Sequence, residues 1–243
     1  MTRWLPPAAS AHAAGIDREL TIVHIVMFAL LVGWFAYLAW VLFRFRRSRQ
    51  PFPSQQGASG RVAMFVTAGV VVFEAVMLVG LSLPMWFTRQ GPPPADSSAV
   101  VVRVVAQQFQ WNFHYPGADG QFGDTRPDLV SAENPVGLDR TSPHGADDIV
   151  TGLLHVPVGR QVVVQLTSKD VIHSFGLPNF RVKQDVIPGM IATVWFTPTV
   201  PGQFDIACSQ LCGLAHYRMR SDVVVESADA FAKFLADEAA FLK

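Results

Sequence analysis

Neither sign of charge is in excess in this chain: nineteen Lys and Arg balance nineteen Asp and Glu over 243 residues. No basic stripe stands outside one short loop, which argues against a nucleic-acid binder. Cysteine is scarce, with Cys208 and Cys212 the only two. A bridge between them would close so small a loop that it would add little stability. The pattern C-x-x-C-H is missing, so no c-type haem is attached covalently. No internal repeat is visible.

A further absence is local. From Ile22 to Phe43 there is no Asp, Glu, Lys or Arg, and from Val62 to Phe87 the only charge is Glu74. At 1.5 Å per residue each run is long enough for a hydrocarbon core of about 30 Å. A signal peptide fits the first run poorly, because the run is too long, its flank is not basic and no small-residue cleavage site follows. The expectation is two membrane helices, at 21–43 and 62–87. They are preceded by an extramembrane segment at 1–20 and separated by a loop at 44–61 that holds five arginines and no acid. Arginine in short loops stays on the cytoplasmic side, which places both termini outside, in the periplasm of a bacterial inner membrane or its equivalent.

Proline-rich residues 88–98 read as a linker, and β-type patterning follows over 99–226. β-branched and aromatic runs occupy 99–115, 153–168, 190–200 and 220–226, with turn signals between them. Residues 117–148, rich in Gly, Asp and Pro, read as a long surface loop. Short strands of this kind suggest an antiparallel sandwich or barrel. In the tail, 227–243, Phe231, Phe234, Leu235, Phe241 and Leu242 stand near helical spacing and predict a packing helix.

Within ACSQLCGLAHYRM, Cys208, Cys212, His216 and Met219 place four soft or borderline donors in twelve residues. Ser209, Gln210 and Gly213 interrupt any apolar helical face. A disulfide leaves His216 and Met219 unexplained, and zinc makes poor use of a thioether. Thiolate, imidazole and thioether together suit copper in an electron-transfer site, which calls for a second histidine. His173, in DVIHSFGLPNFRVKQDVIPG, follows a strand in a setting that resembles the place of the upstream histidine ligand in cupredoxin-like folds, and supplies it. Two thiolates can bridge two copper ions, each taking one histidine and a weaker axial donor. Asp170, three residues before His173, is expected to support the ligand loop. The remaining histidines, His12, His24, His114, His144 and His155, read as structural or solvated.

Those two stretches, behind two apolar helices, closely resemble the dinuclear copper (CuA) domain of cytochrome c oxidase subunit II. The resemblance is strongest over residues 99–226. It implies a cupredoxin-like Greek-key sandwich in which His173, Cys208, Cys212, His216, Met219 and the carbonyl of Gln210 bind the copper pair. It implies electrons received from cytochrome c or a c-type cytochrome subunit and passed to haem in subunit I. There, beside CuB and among other membrane subunits, oxygen is reduced to water with proton pumping. This chain alone has no oxygen-reducing site. Family members usually carry Glu where Gln210 stands, and its side chain binds magnesium at the subunit I interface; the neutral amide leaves that ion in question. In Gln108-Phe109-Gln110-Trp111, Phe109 takes the position of the aromatic that receives electrons and Trp111 that of the second. Arg181 and Asp185 match positions near the haem propionates of subunit I. Glu74, near the middle of its helix, is expected to face subunit I, as part of a proton path or as a hydrogen-bonding group.

Two other functions share these features. A haem–copper nitric oxide reductase could use the same copper subunit, and a membrane-tethered copper carrier could use the same donors. A quinol oxidase subunit II shares the architecture but lacks the copper ligands.

Overall fold

The computed structural model describes residues 4–49, 52, 57 and 59–242; residues 1–3, 50, 51, 53–56, 58 and 243, including the ends of the expected 1–20 and 227–243 segments and part of the arginine loop, lie outside it. Two compact units form: Gly15–Gly91, and Pro92–Lys243 together with Arg3–Ala14.

In the first unit, α1 spans Ala13–Arg44. A second helical stretch comprises α2 (Gly60–Met77), a π turn (Leu78–Ser82) and α3 (Leu83–Gln90). Both stretches are long and apolar enough to cross a membrane, and none of their most apolar windows is buried by the rest of the chain. Such surface is stable only against lipid or other apolar helices. Each helix outruns the apolar stretch that marks it, because residues 13–20 and 88–90 keep helical hydrogen bonding beyond the uncharged core. The linker therefore begins at Gly91, later than the expected 88. Pro84 stands in the first turn of α3. It cannot donate to a carbonyl in the preceding turn, and the ladder widens into the π turn just ahead of it.

The second unit is a cupredoxin-like sandwich of two five-stranded sheets. One runs β3-β2-β1-β5-β8, built from β1 (Val100–Gln107), β2 (Gln110–Tyr115), β3 (Ile149–Thr151), β5 (Val162–Ser168) and β8 (Ala192–Phe196). The other runs β4-β10-β9-β6-β7, from β4 (Leu154–Pro157), β6 (His173–Leu177), β7 (Val182–Val186), β9 (Gly202–Cys208) and β10 (Arg220–Glu226). The expected all-antiparallel pattern does not hold. β1 lies parallel to β5, and β4 parallel to β10. The run 153–168 causes this, because the turn at Val158–Gln161, with Gly159 at φ +78°, sends β4 and β5 into opposite sheets.

Alternation in β1 buries Val100, Val102, Val104 and Ala106, and in β5 Val162, Val164 and Leu166. They meet Phe113, Phe175, Leu177, Phe196, Ile206 and Val223 from the other strands. Each fully buried side chain of this size contributes roughly 1.5–3 kcal/mol. β2 is buried from Trp111 to Tyr115 on both faces, since the 117–148 segment covers its outer side. That segment is more than a surface loop. Val136, Leu138 and Asp148 are buried in it, and the Asp148 carboxylate accepts from Gly117 N, Gly123 N and His114 Nε2. Burial holds the His114 imidazole below its ordinary pKa, against the pull of Asp148.

Two segments close the sandwich. α4 (Ala228–Phe241), capped by Ser227, buries Phe231 and stacks Phe234 on His155 at 3.9 Å, while Phe241 stays exposed. The N-terminal arm adds a short strand-like contact. Ala9 N donates to Asn179 O, Ala11 N to Thr197 O and Thr199 N to Ala9 O.

Candidate metal centre

The sheet register assembles the donors. β6 pairs with β9 so that Phe175 faces Cys208, which brings His173, the first residue of β6, beside the last residue of β9. From Cys208 the chain leaves the sheet and returns at Met219, closed by Cys208 N donating to Met219 O at 3.1 Å. Ser209 N donates to Ser174 O and fixes the loop to β6. A 3₁₀ turn over His216–Arg218 then brings His216 and Met219 back toward the cysteines.

Donor atoms of His173, Cys208 and Cys212 lie within 4.8 Å of one another. The two Sγ atoms are 3.8 Å apart, far beyond a disulfide bond, and both thiols are free. His173 Nδ1 is 3.1 Å from Met219 Sδ and 3.9 Å from Cys208 Sγ. On the other side, His216 Nδ1 is 3.6 Å from Cys212 Sγ, and Gln210 O is 3.2 Å from Cys208 Sγ. Met219 Sδ is also 3.7 Å from Cys212 Sγ, so each thiol has one histidine near it, with the carbonyl beside Cys208 and the thioether beside Cys212. His173, Cys208, Cys212 and Met219 are buried, while His216 is half-buried and opens the cluster to the surface. This soft, anionic donor set suits a metal of copper type.

Asp170 sets the orientation of His173. Its Oδ1 accepts from His173 Nε2 at 2.8 Å, so Nε2 carries the proton and the Nδ1 lone pair faces the sulfurs. Burial raises the Asp170 pKa, but the hydrogen bonds from His173, Gln108 N and Val171 N together hold it below the usual carboxylate range. With no metal bound, burial and the neighbouring Cys208 push the Cys212 thiol up to about 11.

Gln108, to which the sequence reading assigns no role, ties the two ligand loops together. Its backbone N–H donates to Asp170 Oδ2 at 2.7 Å, and its Nε2 donates to Cys212 O at 2.6 Å. Its place at the head of the Gln-Phe-Gln-Trp stretch is the signal that could have found it. Phe109 is half-buried against Gly213, where an added Cβ would fall 3.1 Å from the ring. Gly213 has φ +134°, a conformation that glycine tolerates. Trp111 is buried behind the cluster, edge-on to His173 at 6.1 Å and to Phe175 at 5.4 Å.

Other residues singled out in the sequence lie elsewhere. Arg181 has a left-handed backbone, φ 56°, and donates to Pro178 O and to Pro6 O of the N-terminal arm. Asp185 is half-exposed on β7, opposite Ser174, and pairs with Lys183 at 3.4 Å. Glu74 is exposed on α2, in the first unit.

A family described as the periplasmic domain of cytochrome c oxidase subunit II matches residues 100–228. The alternative cytochrome c oxidase subunit 2 of Bradyrhizobium diazoefficiens is 35% identical over 240 residues, spanning 98% of this chain and 85% of that one. Cytochrome c oxidase subunit 2 of Cereibacter sphaeroides is 31% identical over 242 residues, spanning 94% and 78%. Among solved structures, the periplasmic domain of subunit II of cytochrome oxidase (CoxB) of Bradyrhizobium japonicum aligns at 30% identity with a TM-score of 0.46, over 62% of this chain and 99% of that one.

Proposed function

The chain belongs to the cytochrome c oxidase subunit II family, and from that premise we propose that it holds a dinuclear copper (CuA) centre and relays electrons into a haem–copper oxidase. The observation that carries this reading is the pair of free thiols 3.8 Å apart with a histidine Nδ1 at each end. Such a pair can bridge two ions, whereas a single four-coordinate site would leave a donor over. His173 and Met219 would serve one copper, His216 and the Gln210 carbonyl the other, and Cys208 and Cys212 both.

A copper pair held by these residues would supply a one-electron carrier. This chain's residues do the rest. The sheet register and the hydrogen bonds of Gln108 and Asp170 hold the ligand loops rigid, so little needs to move when the charge changes. Burial of four of the five side-chain ligands keeps water out. Phe109, half-buried between β1 and β2 against Gly213 of the ligand loop, offers an aromatic surface to a cytochrome c or a c-type cytochrome subunit, and Trp111 packs against His173.

The acceptor in this reading is haem in subunit I, which with CuB and other membrane subunits reduces oxygen to water and pumps protons. The two helices anchor the chain in a bacterial inner membrane, with the arginine loop on the cytoplasmic side and the copper domain in the periplasm. Glu74 would face subunit I, because an uncompensated carboxylate at that depth costs about 2.5–3.5 kcal/mol. Asp185 would lie toward the haem propionates. Arg181 is engaged by the N-terminal arm and would reach them only by giving up those bonds. Gln210 brings no carboxylate for a magnesium ion.

Metal analysis of the purified chain tests the proposal. Two coppers per chain, with an EPR signal delocalised over both, are expected. A single, EPR-silent copper would instead indicate a carrier and overturn the reading.

A further inference from the structure

A cleft of about 540 Å³ opens in the β domain and contains none of the proposed metal ligands. Its walls come from β2, residues 133–140 of the 117–148 segment, β3 and the start of β10. Its chemistry is one-sided. Arg140 and Arg220 contribute two cations, Glu133 is the lone acid, and Asn112 and Asn134 add amides.

The donors differ in how far they are already engaged. Arg140 Nη1 donates to Asp148 O at 3.1 Å, which fixes the side chain and leaves its remaining N–H groups available. The Arg220 guanidinium makes no hydrogen bond or ion pair among the described residues. Trp111, which lines the cleft, has its indole Nε1 buried with no hydrogen-bond partner. A buried N–H without an acceptor is disfavoured, so an acceptor is called for beside this ring. Glu133 already accepts from Ser131 Oγ, and one carboxylate is too few for a cation site. Polar lining slightly exceeds apolar lining and carries two guanidinium groups, which disfavours an uncharged hydrophobic ligand.

We infer that this cleft binds a small oxyanion, bearing phosphate or carboxylate groups, through Arg140 and Arg220. Guanidinium groups recognise both by paired, charge-assisted hydrogen bonds. The volume lies in the range of small-molecule sites and leaves room for an organic body on the anionic group. The ligand would sit one aromatic ring away from His173, because Trp111 touches both. Negative charge there favours the oxidised form of a bound metal. That consequence rests on the copper reading, whereas the site itself does not.

The test therefore uses the full chain in detergent without metal. Inorganic phosphate and succinate are titrated separately by calorimetry at low, constant ionic strength. Saturable binding of at least one is expected, and the responding arm identifies the anionic group. Arg220→Gln removes no hydrogen bond or ion pair among the described residues, so its circular dichroism should be unchanged while binding weakens at least tenfold. No saturable binding in either arm, or equal binding by Arg220→Gln, would overturn the assignment.

Discussion

Replacing Asp170 by Asn tests how the metal centre is held. Besides Val171 N, the carboxylate accepts from two groups of the site, from His173 Nε2 at 2.8 Å on one oxygen and from Gln108 N at 2.7 Å on the other. An amide has one acceptor oxygen, so in Asp170→Asn one of the two donors must face an NH₂ group. If His173 loses its partner, its ring is free to turn and Nδ1 no longer points at the sulfurs. If Gln108 loses it, the tie between the ligand loops is cut. In either case the negative charge that makes the imidazole a better ligand is gone. Groups that orient metal-bound histidines contribute roughly tenfold to a hundredfold in metal affinity. The Asp170 side chain is 31% exposed, so water can replace part of what is lost. The expectation is therefore near the lower limit, roughly tenfold, which corresponds to about 1.4 kcal/mol. Copper affinity measured by competition with a chelator reads this directly, and the reduction potential should rise because a charge that stabilises the oxidised metal is removed. Affinity and potential both equal to wild type would refute the role assigned to Asp170.

Four further outcomes are expected. Gly213→Ala would place a Cβ 2.6 Å from Gln108 Nε2 and 3.1 Å from the Phe109 ring, in a backbone conformation that Ala resists; electron uptake from reduced cytochrome c, followed by stopped flow, should slow while the bulk secondary structure is kept. Copper uptake should strengthen as pH rises, because with no metal bound the Cys212 thiol, pushed up to about 11, must lose its proton to bind; below that value each unit adds up to about tenfold per proton displaced, as chelator competition across neutral pH would show. The same shift means that the metal-free fold loses stability between pH 9.0 and about 11, where the unfolded thiol ionises and the folded one does not. Phe113→Ala empties a fully buried site and should cost about 3–5 kcal/mol in denaturant unfolding.

What could be read from the residues depended on how local the signal was. Uncharged runs mark the two apolar helices, since lipid-facing surface tolerates so little charge. Four of the five side-chain donors fall within twelve residues and announce a metal-type cluster by spacing alone. The fifth, His173, lies 35 positions before Cys208 and stands out only beside the family pattern. Gln108 was less visible, because its function is to touch Asp170 and the Cys212 carbonyl, 62 and 104 positions away. The N-terminal arm carried no strand signal at all. Its Pro, Ala and Ser residues contribute backbone groups to Asn179, Thr197 and Arg181, and backbone groups look alike in every sequence. The parallel pairs were hidden for a similar reason, since strand direction is settled by where the 117–148 and 158–161 segments carry the chain.

Parallel pairing also sets a timetable. Val100 meets Val162 only after the intervening chain has been looped out, and long-range pairings of this kind form slowly. Until β6 joins β9, an emerging polypeptide displays Cys208, Cys212, His216 and Met219 on one short stretch, with His173 absent. In an oxidising compartment that interval exposes two neighbouring thiols to oxidants and to stray metal ions before the rigid cage exists. On the proposed periplasmic side, assembly of the centre would thus be a race between strand pairing and thiol chemistry. A reductant or a metal donor acting there would decide it in favour of the proposed centre.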